Sequence, residues 1–191
     1  MKKLLLILAV ATIAFVSFSF YKAPLSSAAS IKEASKSLVF PVAGSRSVIK
    51  DKWGASRGGG TRKHKGIDIH ARKGTPVVAI SDGIITTRDH TPIGGKTLWL
   101  KSSHYPLTAY YAHLDKQYVK EGQFVKKGQV IGTVGNTGNA RTTPAHLHFG
   151  VIRGKSWVNP FPYVKHALKL KTAKVPQKKS NNIKKPVSRK K

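Results

Sequence analysis

Short apolar runs separated by turn residues recur from about Phe40 to Val164, and this pattern restricts the fold more than any other feature. The runs cover residues 75–80, 84–87, 97–101, 108–112, 124–125, 129–134 and 146–152. Runs of this length, rich in β-branched and aromatic residues and bounded by Gly, Pro, Asn or Asp, are typical of strands. No segment of this region carries a convincing 3.6-residue period. The sequence therefore predicts an all-β domain of antiparallel sheets, in which residues 124–125 and 129–134 form a hairpin.

The N-terminus has the order of a secretory signal. Lys2 and Lys3 precede an uncharged stretch at residues 4–20, and small residues follow at 26–30. A basic, then apolar, then small-residue order is typical of a signal peptide, so we expect residues 1–29 to direct export, with cleavage after Ala28 or Ala29. An uncleaved membrane anchor is the alternative, because the apolar run is long for a signal and slightly short for a span. Either reading places the protein in the periplasm, in the cell wall or outside the cell.

Composition divides the rest of the chain into three parts. Residues 30–39 are expected to form a polar linker, residues 40–164 the folded domain and residues 165–191 a basic tail. The tail contains 11 Lys or Arg and no acidic residue. We expect it to be disordered, because it cannot bury enough apolar surface to offset its ordering entropy. It serves either to solubilise the protein or to target it to the wall.

The charge balance is extreme, with 35 Lys and Arg against 7 Asp and Glu and a net charge of +28. Such a chain concentrates at polyanions. Export makes anionic wall polymers, lipopolysaccharide and membrane surfaces the expected partners, and the tail lacks the aromatic residues with which a single-strand nucleic-acid binder stacks bases. No specific nucleic acid is therefore expected. The absence of cysteine excludes a lipoprotein anchor, a disulfide framework and a thiolate metal site.

Two local arrangements stand out among the eight histidines. His64 and Asp68 lie four residues apart, whereas His146 and His148 share one face of a strand because strand side chains alternate. Neutral imidazole and carboxylate are ligands of zinc where thiolate is absent. In an extended chain His64 and Asp68 would be roughly 13 Å apart, so a shared ion requires a bend, expected at Gly66. A set of unrelated surface histidines is the alternative that spacing alone leaves open.

Three motifs, in this order and spacing, resemble one known family. They are His64-Lys65-Gly66-Ile67-Asp68, Tyr111-Ala112-His113-Leu114 and His146-Leu147-His148-Phe149. With the stretch at residues 125–138, they resemble the LytM/lysostaphin-type zinc metallopeptidases, the M23 peptidoglycan endopeptidases. The resemblance extends over roughly residues 40–160. It implies antiparallel sheets around a substrate groove and hydrolysis of the peptide cross-links of bacterial peptidoglycan.

The resemblance also implies roles for individual residues. His64, Asp68 and His148 correspond to the ligands of one Zn²⁺ per chain. His113 and His146 correspond to two catalytic histidines beside the metal, which share proton transfer and oxyanion stabilisation. His104 and Tyr111 are candidates for the substrate groove, and the other histidines are expected on the surface. Gly150 departs from the family pattern, which often has an acidic residue at that position.

Other functions compete with this interpretation. A relative of the same fold that has lost its metal could regulate another wall hydrolase, or simply bind the wall. The filled ligand and auxiliary positions argue against that alternative. The residues around Lys126-Lys127-Gly128 also resemble the hairpin of a phosphate-relay or lipoyl-like carrier domain. The expected export of the protein argues against such a carrier. The expected state is a monomer whose partner is peptidoglycan.

Overall fold

The structure is a computed structural model that describes residues 28–44 and 46–176. In that part of the chain one helix precedes thirteen strands and a short helix follows them. The elements are α1 Ala28–Ser37, β1 Val48–Asp51, β2 Ser56–Arg57, β3 Arg62–Lys63, β4 Ile67–His70, β5 Pro76–Val78, β6 Gly83–Thr91, β7 Gly95–Ser102, β8 Thr108–Leu114, β9 Lys116–Gln117, β10 Phe124–Val125, β11 Val130–Thr133, β12 His146–Arg153, β13 Ser156–Val158 and α2 Phe161–Val164.

Antiparallel pairing builds one large sheet, one small sheet and a separate hairpin. The large sheet has the order β1-β4-β12-β8-β7-β6-β10, and β13 pairs with the far end of β12. The small sheet has the order β5-β11-β9, and β2 pairs with β3. The predicted all-β antiparallel fold is therefore confirmed. Neighbouring strands are close in sequence only on one side of the large sheet, since β12 lies between β4 and β8.

The main core joins buried side chains of the large sheet, such as Leu98 and Leu147, to those of the small sheet, such as Val77 and Ile131. Tyr111 of β8 and Phe149 of β12 are fully buried, are paired across the two strands and pack edge to face with ring centroids 5.4 Å apart. The Tyr111 hydroxyl accepts a hydrogen bond of 3.1 Å from the backbone N–H of Ile80, just beyond β5. This bond connects the large sheet to the small one, because a buried phenol needs a partner.

The predicted hairpin at residues 124–134 is wrong. Strand β10 pairs with β6 in the large sheet, whereas β11 pairs with β5 and β9 in the small sheet. The turn between them bonds to a third segment: Gly128 donates to the Ala79 carbonyl at 2.9 Å, and Ala79 donates to the Gln129 carbonyl at 3.0 Å. Two adjacent apolar runs with a tight turn look the same in sequence whether they pair with each other or diverge to separate sheets.

Both ends of the folded region differ from expectation. Helix α1 occupies most of the segment predicted as a linker at residues 30–39. The backbone of Leu168 hydrogen-bonds with Phe40 and Leu38, and Gly44 donates to Leu170 at 2.8 Å. The start of the segment predicted as a disordered tail therefore lies against residues 38–44, because a few apolar positions at its beginning suffice for pairing although its overall composition is basic.

The predicted export segment, apart from its last two residues, and the distal part of the tail lie outside the described residues. Within residues 28–44 and 46–176, no helix combines the length and apolar character needed to cross a membrane.

Candidate active site

Two adjacent strands and the loop before one of them bring the first three predicted residues together. Asp68 of β4 lies directly opposite His148 of β12, so the two side chains emerge side by side on the same face. His64 lies in the loop that leads into β4. Its Nε2 is 3.1 Å from Asp68 Oδ1 and 2.9 Å from His148 Nδ1, and His148 Nδ1 is 3.0 Å from the same carboxylate oxygen.

This donor set fits a zinc ion. Zn–N and Zn–O bonds of about 2.0–2.1 Å in a tetrahedron place neighbouring donor atoms roughly 3.3 Å apart, close to the separations in this cluster. The residues are two imidazoles and one carboxylate, and their potential ligand atoms lie within 4.8 Å of one another. Three protein ligands are the number found in catalytic zinc sites, which leave a fourth position open.

A surrounding layer of polar contacts fixes the orientation of the ligands. His64 Nδ1 donates to the Lys52 carbonyl at 2.9 Å, so its Nε2 faces the cluster. Arg57 Nη2 bonds Asp68 Oδ2 at 2.8 Å and Asp51 Oδ2 at 2.6 Å. Because the guanidinium holds one oxygen of Asp68, the other is left to face the two histidines. Such supporting contacts orient metal ligands and tune their basicity.

The electrostatics keep the Asp68 carboxylate ionised. Burial by itself raises the pKa of Asp68, but the hydrogen bonds to His148 and His64 outweigh burial and hold the pKa far below its usual range. For His148 the balance is reversed: burial lowers its pKa, and the contact with Asp68 offsets this only in part. The cluster therefore presents an ionised Asp68 carboxylate beside a His148 imidazole whose neutral form is favoured, the protonation states that metal ligation requires.

Gly66 lies at the bend between His64 and β4, as expected. Its φ is not positive, so the backbone conformation is not the reason for glycine at this position. A Cβ at this position would lie 2.5 Å from His148 Cε1 and 2.8 Å from the Phe149 carbonyl oxygen. Glycine is required because the loop passes directly against the His148 ring. A larger residue would displace that imidazole from the cluster.

His113 and His146 lie beside the cluster and are held by the backbone. His113 Nδ1 donates to the Thr137 carbonyl at 2.9 Å, and His146 Nδ1 donates to the Pro144 carbonyl at 2.8 Å. Both Nε2 atoms are thereby left available, and the two ring centroids are 5.0 Å apart. Burial, followed by the neighbouring His146 and His148, lowers the pKa of His113 to about 4. His113 is therefore neutral near pH 7.

A bulge in β8 aims His113 at the groove. Simple alternation would place His113 on the core face with Tyr111. However, the register between β7 and β8 shifts between Lys96 and Leu98, and His113 has a φ of 61°. A bulge of this kind redirects a side chain, so Ala112 and His113 both line the groove. A non-glycine residue in the left-handed region is uncommon, and such strain is typical of functional sites.

The cluster and the two histidines form part of the floor of a groove of about 950 Å³. Tyr110, Trp157 and Ile93 contribute to its sides. Burial, with a smaller effect of Asp89, raises the pKa of Tyr110 to about 12, so its hydroxyl keeps its proton. Its ring packs against Trp99, Trp157 and His148. The groove thus combines a metal-binding geometry, neutral imidazoles and a phenol donor.

The structure corrects both groove candidates. His104 is 63% exposed and bonds Asp82 at 3.3 Å, and it does not line the groove. Tyr111 is fully buried in the core, whereas its neighbour Tyr110 faces the groove. The tyrosine that lines the groove is on the same strand as the predicted one but faces the opposite side of the sheet.

His70 was expected on the surface but lines the groove. It stacks on His146 with ring centroids 5.2 Å apart and an interplanar angle of 20°. Burial, then the charge of His146, lowers the pKa of His70. The signal that could have found His70 is its position two residues after Asp68 on the same strand. Arg57 and Trp157 carried no comparable signal, because their contacts depend on distant segments.

Known proteins are similar to this chain in sequence and in fold. The chain is 34% identical over 125 residues to the L-Ala–D-Glu endopeptidase of Bacillus subtilis, covering 59% of this chain and 38% of the relative. It is 41% identical over 118 residues to the murein hydrolase activator NlpD of Salmonella dublin, covering 61% and 29%. The solved catalytic domain of lysostaphin from Staphylococcus simulans matches with a TM-score of 0.55 and 34% identity, over 62% of this chain and 92% of that chain.

The family assignment rests on the central part of the chain. The sequence profile of peptidase family M23 matches residues 62–160, which contain the candidate metal ligands and the two histidines beside them. These two curated relatives are longer proteins, of which this chain spans 38% and 29%. From its sequence, its antiparallel fold and the lysostaphin-like architecture, this chain belongs to peptidase family M23.

Proposed function

We propose that this protein is a zinc-dependent endopeptidase that hydrolyses peptide bonds of bacterial peptidoglycan, with the cross-links as its target. The observation that carries the proposal is the convergence of His64 Nε2, Asp68 Oδ1 and His148 Nδ1 at separations of 2.9–3.1 Å. His64, Asp68 and His148 would hold a zinc ion, which would supply Lewis acidity for activating water and polarising the scissile carbonyl.

The chain's own residues supply the rest of the chemistry. His113 and His146 present their Nε2 atoms toward the groove, because their Nδ1 atoms are bonded to carbonyls. A neutral imidazole can take the proton of the attacking water, and an imidazolium can donate one to the leaving amine. Tyr110 retains its proton and can donate a hydrogen bond to the developing oxyanion. Asp68 is ionised, and with one negative charge it leaves a bound divalent ion net positive.

The similarity to an activator named NlpD favours one second candidate, a metal-free regulatory or wall-binding module of the same fold. The two functions differ in metal content. As an enzyme, the purified protein contains one zinc per chain, whereas the regulatory module contains none. The complete set of three donors and two auxiliary histidines supports the enzyme.

Digestion of purified wall sacculi tests the proposed reaction. Incubation with the zinc-loaded protein releases soluble fragments with new amino groups and no new reducing ends, and a chelator abolishes the release. Appearance of reducing sugar would indicate a glycosidase. Intact sacculi, together with stimulation of a separate wall hydrolase, would support the regulatory candidate.

Location and further partners also belong to the proposal. We expect an exported protein in the periplasm or the wall, because the substrate lies there and the N-terminal sequence has the order of a signal. The basic tail is expected to contact anionic wall polymers, lipopolysaccharide or membrane surfaces. N-terminal sequencing of the mature protein would distinguish a cleaved signal from a retained anchor.

A further inference from the structure

A second cavity of about 640 Å³ lies next to the candidate active site. It is lined by Trp53, Gly54, Lys63, His64, Lys65, Lys155, Ser156 and Trp157. Four of these residues, namely Lys63, His64, Lys65 and Trp157, also line the metal-site groove. The second cavity, here called the lysine annex, therefore adjoins the groove beside one of the metal ligands.

Trp157 forms the wall shared by the two spaces. Its indole packs edge to face on Tyr110, with ring centroids 5.5 Å apart, and also contacts Trp99. A Cβ at position 150 would lie 2.5 Å from Trp157 Cζ3, so Gly150 is what lets the indole rest on β12. The wall is thereby held in place by packing. The annex has a fixed apolar surface on this side and a second indole, Trp53, in its lining.

The charge of the annex is of one sign. Lys63, Lys65 and Lys155 are exposed, and no residue that lines the annex is acidic. Within the described part of the chain, none of the three ammonium groups has an ion-pair or side-chain hydrogen-bond partner. Arg57 in the main groove differs, because Asp51 and Asp68 already engage it. The annex therefore offers positive charge that is free to meet a ligand.

Free cations beside indole surfaces suit a ligand that combines a carboxylate with aliphatic groups. Lysine ammonium groups attract carboxylates, and apolar side chains gain by covering the indoles. Because His64 lines both cavities, a peptide bound over the candidate metal ligands can extend into the annex with a residue close to its scissile bond. We propose that the lysine annex is a specificity subsite for a residue that carries a free carboxylate beside the scissile bond. This inference rests on the proposed peptidase function.

Two matched probes test the inference: acetyl-L-Ala-D-Glu amide and acetyl-L-Ala-D-Gln amide, which differ in one charge but hardly in shape. Binding is measured first, by NMR titration of the full chain at low salt with a chelator present. We expect the D-Glu peptide to bind about fivefold more tightly than the D-Gln peptide, since each exposed charge pair contributes about two- to fivefold. The preference should shrink as salt is added.

Lys155→Gln is the decisive variant, because Lys155 lies in the β12–β13 turn and touches no metal ligand. It should lower the D-Glu preference by about two- to fivefold, and Lys155→Arg should retain the preference. Lys120→Gln is the matched control: it removes the same charge from an exposed loop outside both cavities. Equal binding of the two peptides by the wild type, or an unchanged preference in Lys155→Gln, would overturn the inference. Displacement of the probe by inorganic phosphate at far lower concentration than by acetate would overturn it too, in favour of a phosphate ligand.

Cleavage of the same peptides by the zinc-loaded protein keeps the two proposals distinct. If the protein binds the D-Glu peptide more tightly but cleaves neither peptide nor sacculi, the inference about the annex is supported and the proposed peptidase function is wrong. If sacculi are cleaved but the two peptides bind equally, the proposed peptidase function is supported and the inference about the annex is wrong.

Discussion

The two halves of the candidate active site are held in different ways. The half with the candidate metal ligands is held by side chains: His64, Asp68 and His148 contact one another, and Arg57 donates a hydrogen bond to the other oxygen of Asp68. The auxiliary half is held by the backbone: His113 and His146 donate to the carbonyls of Thr137 and Pro144.

This difference matches the proposed chemistry. A metal site must compensate charge, so its carboxylate is ionised and its orientation depends on neighbouring polar side chains. A histidine that exchanges protons needs a neutral ring with one nitrogen free. A backbone carbonyl that accepts a hydrogen bond from the other nitrogen orients the ring without adding charge. Substitutions should therefore separate metal binding from catalysis, according to the half of the site in which they fall.

The largest effect is expected for Asp68→Asn and His148→Ala. Each removes a donor, so zinc content should fall from one ion per chain to near zero and wall hydrolysis by at least about a thousandfold, given a metal contribution of several kcal/mol. Metal analysis and sacculus digestion measure the two quantities. His104→Ala is the control, since its imidazole lies away from the groove. Retention of both zinc and hydrolysis in either ligand variant would refute the assignment.

Substitution in the other half should give a different pattern. His146→Gln should reduce hydrolysis by about a hundredfold or more, the range lost with a general acid or base. Zinc content should stay at one per chain, because His146 is held by a carbonyl and not by the donor cluster. Loss of zinc together with activity would show that the two halves are not independent, and would place His146 among the ligands.

Arg57 tests the side-chain support of the first half. Arg57→Ala should weaken zinc binding by about 10- to 100-fold, the usual effect of losing a residue that orients a ligand. Arg57→Lys should recover part of the affinity, because an ammonium can still contact Asp68. Competition with a chromophoric chelator measures the affinity. Arg88→Ala removes the same charge from an exposed position on β6 and should leave the affinity unchanged.

The sequence predicted the candidate metal ligands better than their surroundings. The spacing of His64 and Asp68 and the strand alternation of His146 and His148 indicated a cluster, and the resemblance assigned their roles and supplied His113. His70 and the two groove candidates were misplaced because the packing of the whole domain decides which face of a strand lines the groove. The contacts of Arg57 and Trp157 join segments far apart in sequence, which spacing rules cannot reach.

The same limit explains the error over residues 124–134. Local pattern identifies that a run is a strand, but the partner is chosen by the packing of the whole domain. Val125 and Val130 are both buried, yet they join separate apolar clusters. Pairing in this region is therefore a tertiary property.

The smallest expected effect is on the pH dependence of stability, and it depends on the titration of His113. Its pKa falls from 6.5 to about 4 on folding, chiefly through burial. Between these values the unfolded chain binds the extra proton, so the stabilisation present above pH 6.5 is lost as the pH falls toward 4. A shift of this size corresponds to about 3 kcal/mol. His113→Asn removes the titrating group, and asparagine tolerates the left-handed conformation that His113 adopts.

Urea unfolding of the chelator-treated protein at pH 7, 6, 5 and 4.5 measures the difference. We expect the unfolding free energy of the wild type to fall more steeply below pH 6.5 than that of His113→Asn, whatever the two values are at pH 7. The other titrating groups are common to both proteins, so the difference in slope reports His113. Parallel curves would mean that His113 is accessible to protons in the folded state, and the bulge in β8 would then not bury the ring against His146 and His148.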